Sequence, residues 1–215
     1  MLAIGRRGRK DVAMVETSQR VPRFVLLAGP NGSGKSTVAP YLVRDIWGIA
    51  RFLNADTIAR GLSAFNPDLA LVAAGRALLE QARRHVEHRQ DFAIETTLSG
   101  KTYANMLRRD LANGWRTHLA FVYTRSADEN VLRVQKRVLT GGHDVPEADV
   151  RRRYERSFAN FFKIYRPLVE SWEVIDNSER DPESARVIAE QTANGHLNVV
   201  DRVEWQRLET HYGQR

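Results

Sequence analysis

From Arg23 onward, short continuous apolar runs alternate with longer stretches in which apolar residues recur every three or four positions. Runs of the first kind read as strands buried on both faces, and stretches of the second kind as amphipathic helices. Their alternation predicts an α/β fold built on a parallel sheet. Strands are expected at Phe24-Val25-Leu26-Leu27-Ala28, Phe52-Leu53-Asn54, Phe92-Ala93-Ile94, His118 to Tyr123, Trp172 to Asp176 and Leu197 to Val200. That gives a five- or six-stranded, mostly parallel sheet with helices on both faces. Helices are expected from Lys35 to about Trp47, from Asn66-Pro67-Asp68 through Val86, over Thr102–Asn113 up to Gly114, from Asp128 to Leu139, after Pro146, and over Pro182–Thr192. Beyond Pro146, Tyr154, Phe158, Phe161, Phe162 and Tyr165 share one helical face, which reads as core. The run Gly141-Gly142-His143-Asp144-Val145-Pro146 separates two helices with loop residues.

A chain of 215 residues suits one domain with a sizeable core. The expected division is a basic leader over 1–22 that stays disordered, a single α/β domain over 23–202 with a lid at about 137–152, and a C-terminal tail over 203–215. With 42% hydrophobic and 27% charged residues the composition is that of a folded, water-soluble protein. No apolar run approaches the roughly 18 residues that span a bilayer. The absence of cysteine excludes disulfides, thiolate nucleophiles and Cys-based zinc sites. The basic start is not followed by an apolar core segment, so no secretory signal is read and a cytoplasmic location is expected.

The net charge of +7 has a location. Arg6, Arg7, Arg9, Lys10, Arg20 and Arg23 face only Asp11 and Glu16 in the first 23 residues, so more than half of the excess lies there. Such a leader can stay solvated or touch nucleic acid, but it has no interleaved aromatics for stacking on bases, which disfavours nucleic acid as partner.

Candidate chemistry begins at Gly29-Pro30-Asn31-Gly32-Ser33-Gly34-Lys35-Ser36-Thr37, which satisfies G-x-x-x-x-G-K-[ST] between an apolar strand and a helix start. In that context the glycines let successive N–H groups turn inward onto phosphate oxygens, and the helix N-terminus adds partial positive charge. Lys35 is expected to reach the β- and γ-phosphates and Ser36 to place its hydroxyl on Mg²⁺. The implied ligand is Mg-ATP, with GTP open as the donor, although the Asn-Lys-x-Asp of guanine recognition is missing. A transporter-type ATPase is disfavoured, because Leu98-Ser99-Gly100 continues as Lys101-Thr102 and no strand ends in Asp-Glu.

Two carboxylates follow strand ends, where open α/β sheets bind ligands. Asp56 suits a base that accepts the proton of an attacking hydroxyl and shares Mg²⁺; the alternative is a helix N-cap. Glu95 suits a substrate contact, the alternative being a salt bridge to an arginine. Arginines flank the Gly-Gly interruption, and an arginine on a closing lid neutralises charge on a transferring phosphoryl group. Arg137 and Arg151 are the preferred phosphate contacts, with Arg152 next.

Taken together, the glycine loop, Asn54-Ala55-Asp56 with Phe65-Asn66-Pro67, Ala74-Gly75-Arg76, Glu95-Thr96-Thr97-Leu98-Ser99 and Gly141 to Pro146 before an arginine-rich helix resemble the zeta-toxin family of P-loop kinases. The resemblance covers roughly Arg23 to Ser178. It implies a kinase-type P-loop NTPase fold with an arginine-rich lid, and an enzyme that transfers the γ-phosphate of ATP to an alcohol group. In the best-known members the acceptor is the 3′-hydroxyl of the amino sugar in UDP-N-acetylglucosamine. By motif position Lys35 and Ser36 carry the phosphate-loop roles, Asp56 is the catalytic base, Glu95 and Thr97 contact the acceptor, and Arg137 with Arg151 or Arg152 contacts the γ-phosphate. The resemblance also implies a possible small antitoxin partner. The chain is similar to the compact branch of the family, and its Glu-Thr-Thr-Leu-Ser stands where the larger toxins have Glu-Gly-Thr. Two other classes remain open at this point: a nucleotide-dependent nucleic-acid-binding module and an ATP-hydrolysing regulator.

Overall fold

The structure is a computed structural model that describes residues 20–213 apart from 64, 110, 113, 143 and 180–184. Residues 1–19, which make up most of the expected leader, lie outside the described residues. Strands are β1 (Arg23–Ala28), β2 (Phe52–Leu53), β3 (Phe92–Thr96), β4 (Arg116–Tyr123), β5 (Ser171–Asp176), β6 (Arg186–Gln191) and β7 (Leu197–Val199). Helices are α1 (Lys35–Ala39), α2 (Ala55–Leu62), α3 (Leu71–Glu87), α4 (Thr102–Arg109), α5 (Ala127–Leu139), α6 (Glu147–Asn160) and α7 (Arg202–Leu208). A π-helical turn over Pro40–Ile46 prolongs α1, and another over Phe161–Tyr165 prolongs α6.

Among the described residues one sheet holds all seven strands in the order β2-β3-β1-β4-β5-β6-β7. The first five strands in that order pair parallel, while β6 and β7 are antiparallel additions. Both faces are covered. Phe24 and Leu26 of β1, Phe92 and Ile94 of β3, and Leu119, Phe121 and Tyr123 of β4 point into one core. Val25 and Leu27, Ala93, and Ala120 and Val122 of the same strands point into the other. Side chains alternate faces along a strand, so burial on both sides is what turns these segments into unbroken apolar runs.

Three expectations are corrected. The sheet has seven strands rather than five or six, and the helix expected over Pro182–Thr192 is the strand β6 where it is described. Glu, Ala and Arg at those positions favour helix only weakly, and pairing along the free edge of β5 overrides that preference. The hairpin to β7 turns at Asn194-Gly195, with Gly195 at φ 82 and the Gly195 N–H donating to the Thr192 carbonyl at 2.9 Å. That dipeptide is a strong hairpin signal. The helix expected to reach Asn113 ends at Arg109.

The segment expected as a tail instead folds onto the core. Asp201 caps α7 by accepting from the Glu204 N–H, and Trp205, Leu208 and Tyr212 are buried. Trp205 stacks on Trp172 with ring centroids 5.3 Å apart, and Tyr212 stacks on Phe158 at 4.6 Å. Trp205→Ala should therefore cost about 3–5 kcal/mol of unfolding free energy, the usual price of deleting a buried aromatic. Urea denaturation measures it, and a loss below about 1 kcal/mol would show that α7 adds little to the fold. The α5–α6 pair has a small core of its own, made by Val131, Val134, Val145 and Val150.

Candidate active site

The phosphate loop leaves β1 and enters α1. Gly32 and Gly34 have φ of 81 and 87, a left-handed conformation that a side chain would strain. A Cβ on Gly34 would also meet Asn177 Nδ2 at 2.2 Å. Asn177, which follows β5, is buried and donates from Nδ2 to the Ser33 carbonyl at 2.8 Å, while its N–H donates to the Tyr123 carbonyl at 2.8 Å. It is a strut between the sheet and the loop. Asn31, Gly32, Gly34, Lys35, Ser36 and Thr37 line a cleft of about 1210 Å³. Ser33 is fully buried beneath it, and the Pro30 carbonyl accepts from Lys35 Nζ at 2.8 Å.

Lys35 is 6% exposed. Burial lowers its pKa, the nearby Glu95 and Asp56 carboxylates oppose that shift, and Arg137 adds to it. The ammonium thus senses both candidate carboxylates and Arg137. Ser36 Oγ donates to Glu95, with both carboxylate oxygens at 3.0 Å. Asn54 Nδ2 donates to Glu95 Oε2 at 2.7 Å. Among the described residues, then, Glu95 pairs with a hydroxyl and an amide, and the salt bridge weighed from sequence is not what holds it.

Asp56 is not the N-cap of α2. Asn54 fills that position, accepting from the Thr57 N–H at 3.0 Å. Asp56 sits in the first turn of α2 and lines the cleft with Glu95, Thr97 and Tyr103. Thr97 Oγ1 lies 2.9 Å from Ser99 Oγ. The segment after β3 is strained, since buried Leu98 has φ 58, and α6 and its extension grip it. Ser157 Oγ donates to the Thr97 carbonyl, Asn160 Nδ2 to the Leu98 carbonyl at 2.7 Å, and Tyr165 OH to the Gly100 carbonyl at 2.7 Å.

The arginine expectations are divided by the structure. Arg137 lines the cleft. Arg151 instead pairs with Asp128 at 2.6 Å and Glu147 at 2.8 Å, and Arg152 pairs with Asp149 at 2.9 Å. Neither is among the cleft-lining residues. Arg153 is, and its Nη1 donates to Asn31 Oδ1 of the phosphate loop at 3.3 Å. Arg153, Ser157 and Asn160 recur at i, i+4 and i+7, a polar stripe beside the aromatic face of α6, and that stripe is the signal the sequence reading passed over. Arg133 was likewise not anticipated as a lining residue; it donates to the Ser178 carbonyl at 2.8 Å and so holds the loop after β5.

A divalent cation fits this arrangement. Ser36 Oγ and the Glu95 carboxylate are already in contact and Asp56 lines the same cleft, an oxygen-only donor set. Mg²⁺ commonly uses one or two carboxylates and takes its remaining ligands from water and phosphate. No described helix is long and apolar enough to cross a membrane.

No family model matches the chain. An uncharacterised protein of Haemophilus influenzae (strain ATCC 51907 / DSM 11121 / KW20 / Rd) is 30% identical over 132 residues, which is 61% of this chain and 92% of that protein. A chain of the AvrRxo1-ORF1:AvrRxo1-ORF2 complex, crystallised with sulphate ions, matches with a TM-score of 0.69 at 12% identity. The match covers 87% of this chain and 63% of that one, so this chain spans less than two thirds of its length. The same complex solved with ATP gives a TM-score of 0.67 at 12% identity, with the same two coverages. The PezAT toxin–antitoxin system of Streptococcus pneumoniae matches with a TM-score of 0.59 at 14% identity, over 92% of this chain and 88% of that one. At such identities the likeness shows the fold alone, the α/β fold that this chain shares with the AvrRxo1 and PezAT structures.

Proposed function

The chain belongs to the same family as the uncharacterised Haemophilus influenzae protein, and we propose that it is an ATP-dependent kinase that phosphorylates a hydroxyl of a small molecule. One observation carries this reading: the phosphate-loop Lys35 and Ser36, the carboxylates Asp56 and Glu95, and Arg137 and Arg153 line a single cleft. A nucleotide binder needs one such carboxylate for its metal; a second carboxylate in the same cleft leaves one to accept the proton of an attacking hydroxyl.

In this mechanism the loop N–H groups and Lys35 hold the β- and γ-phosphates. Asp56 takes the proton of the acceptor hydroxyl as its oxygen attacks the γ-phosphorus. The bond to the bridging oxygen breaks, ADP leaves, and a phosphate monoester forms. Arg137 and Arg153 neutralise charge on the equatorial oxygens, so Arg153 takes the part first expected of Arg151 or Arg152. Ser36, with Glu95 and Asp56 beside it, would hold a Mg²⁺ ion, which would supply charge neutralisation for the phosphates. Thr97 and Tyr103 line the same cleft, and in this reading they contact the acceptor.

The sequence resemblance supports a nucleotide sugar such as UDP-N-acetylglucosamine as the acceptor, and the ATP-containing structure of the AvrRxo1 complex supports ATP as the donor. The AvrRxo1 and PezAT structures are two-protein systems, which supports a protein antitoxin as a partner. Dependence on ATP would favour the cytoplasm as the site of action. The decisive experiment incubates the full chain with Mg-ATP and a panel of UDP-sugars and other hydroxyl metabolites, with products read by mass spectrometry. ATP hydrolysis without transfer across the whole panel would sink the kinase reading.

Glu95 deserves reassignment from acceptor contact to the metal side of the site, because it holds Ser36 Oγ. Glu95→Gln should weaken Mn²⁺ binding in the presence of ATP by about tenfold or more, as loss of a residue orienting a metal ligand does. Electron paramagnetic resonance of free Mn²⁺ reads this directly, and unchanged Mn²⁺ affinity returns Glu95 to the acceptor.

A further inference from the structure

We infer that Gly142 is a positioning residue for Arg137: it is glycine so that the Arg137 side chain can run past the backbone of the lid loop into the cleft. The inference rests on the reading above, in which Arg137 meets the γ-phosphate.

The two glycines that end α5 have different reasons to be glycine. Gly141 has φ 84, and a Cβ there would meet nothing within 4 Å. It is the left-handed residue of a Schellman cap, with the Gly141 N–H donating to the Val138 carbonyl and the Gly142 N–H to the Arg137 carbonyl, both at 2.9 Å. At Gly142 the backbone is not left-handed, yet a Cβ would lie 2.4 Å from Arg137 Cγ, 3.1 Å from its Cδ and 2.9 Å from its carbonyl oxygen. Those atoms are the base of the side chain and the cap's own acceptor, so neither can yield by swinging a flexible tip. Any side chain at 142 must displace Arg137 or open the cap. Arg137 is four residues before Gly141 on the last turn of α5, and it lines the cleft close enough to Lys35 to act on its charge. The loop therefore fixes the direction in which the guanidinium enters the site.

The test uses the full chain and ATP and ADP as probes, because the preference for ATP over ADP reports contact with the γ-phosphate and needs no identified acceptor. Four variants are compared by calorimetry: Gly142→Ala, Gly141→Ala, Arg137→Ala, and Arg137→Ala with Gly142→Ala. Gly142→Ala should reduce the ATP/ADP preference by about tenfold, the effect of losing one charge-assisted hydrogen bond to the γ-phosphate. Gly141→Ala should lower the melting temperature by a few degrees through its strained φ while keeping the preference. The double variant should match Arg137→Ala in preference and regain part of the melting temperature lost in Gly142→Ala, because removing Cγ and Cδ removes the 2.4 and 3.1 Å contacts and leaves only that with the carbonyl at 2.9 Å. If Arg137→Ala loses the preference and Gly142→Ala keeps it, the positioning role is wrong and the kinase reading stands. If Arg137→Ala itself keeps the preference, the γ-phosphate role of Arg137 is wrong and the inference falls with it. A Gly142→Ala chain too unstable to assay, unrescued by Arg137→Ala, equally overturns the inference, since the glycine would then serve the cap alone.

Discussion

Asp56→Asn should leave ATP affinity within a few-fold of the parent chain while the rate of phosphoryl transfer falls by roughly 10³-fold, within the usual range for a positioned general base. Asparagine keeps the size and hydrogen-bonding reach of the side chain but cannot take a proton at neutral pH. The fold should be little affected. Asn54, not Asp56, caps α2, so the substitution removes a first-turn charge whose interaction with the helix is on the order of 0.3–1 kcal/mol, together with its attraction for the Lys35 ammonium. Transfer is read as phosphorylated product per unit time, and ATP binding separately by calorimetry. A variant that transfers at near-parental rate would leave the mechanism without its base.

Lys35→Met should abolish transfer and remove most of the thermal stabilisation that ATP gives the parent chain. For a ligand at about 100 times its Kd that stabilisation is roughly 2.7 kcal/mol. The ligand-free variant should nevertheless melt no lower than the parent at pH 7. Burial lowers the Lys35 pKa, so the charged ammonium is disfavoured in the folded state more than in the unfolded chain. The sign follows from proton counts: between the lowered folded value and the ordinary 10.5, the unfolded chain binds the extra proton and stability rises with pH. The destabilisation is complete below that window, and methionine removes it. The difference in melting temperature between variant and parent should therefore shrink as pH rises toward 10. A ligand-free variant that melts well below the parent at pH 7 would show that Lys35, with Glu95, Asp56 and the Pro30 carbonyl, is a net structural asset. In that case the site would not be maintained at a cost to stability.

How much of this was legible in the chain depends on how far apart the interacting residues lie in sequence. The phosphate loop was readable because its geometry is local: strand, glycines, lysine and helix start are contiguous, and the left-handed positions at Gly32 and Gly34 need no distant partner to be recognised. The parallel core strands were readable for a similar reason, because burial on both faces of a sheet writes itself as an unbroken apolar run. Asp56 and Glu95 could be placed at the ligand edge of the sheet from strand ends alone. What each carboxylate touches could not be read, since the Glu95 partners Ser36 and Asn54 are 59 and 41 residues away.

The sheet edge and the facing of the α6 arginines were decided by tertiary structure. Over Arg186–Gln191 local propensity leans weakly to helix, and only the open edge of β5 converts the segment to a strand; α7 is fixed in place by the stacking of Trp205 on Trp172. The helical period showed that α6 has an aromatic face but not how that helix is rotated about its axis relative to the phosphate loop. One residue along a helix turns a side chain by about 100°. That rotation is enough to give Arg151 and Arg152 to surface carboxylates and Arg153 to Asn31. By itself, then, the sequence determined that a glycine-rich loop of the phosphate-binding pattern and two carboxylates stand at the end of a parallel sheet. Only packing decided which arginines face them, because rotational phase and edge pairing depend on contacts between segments that no local pattern encodes.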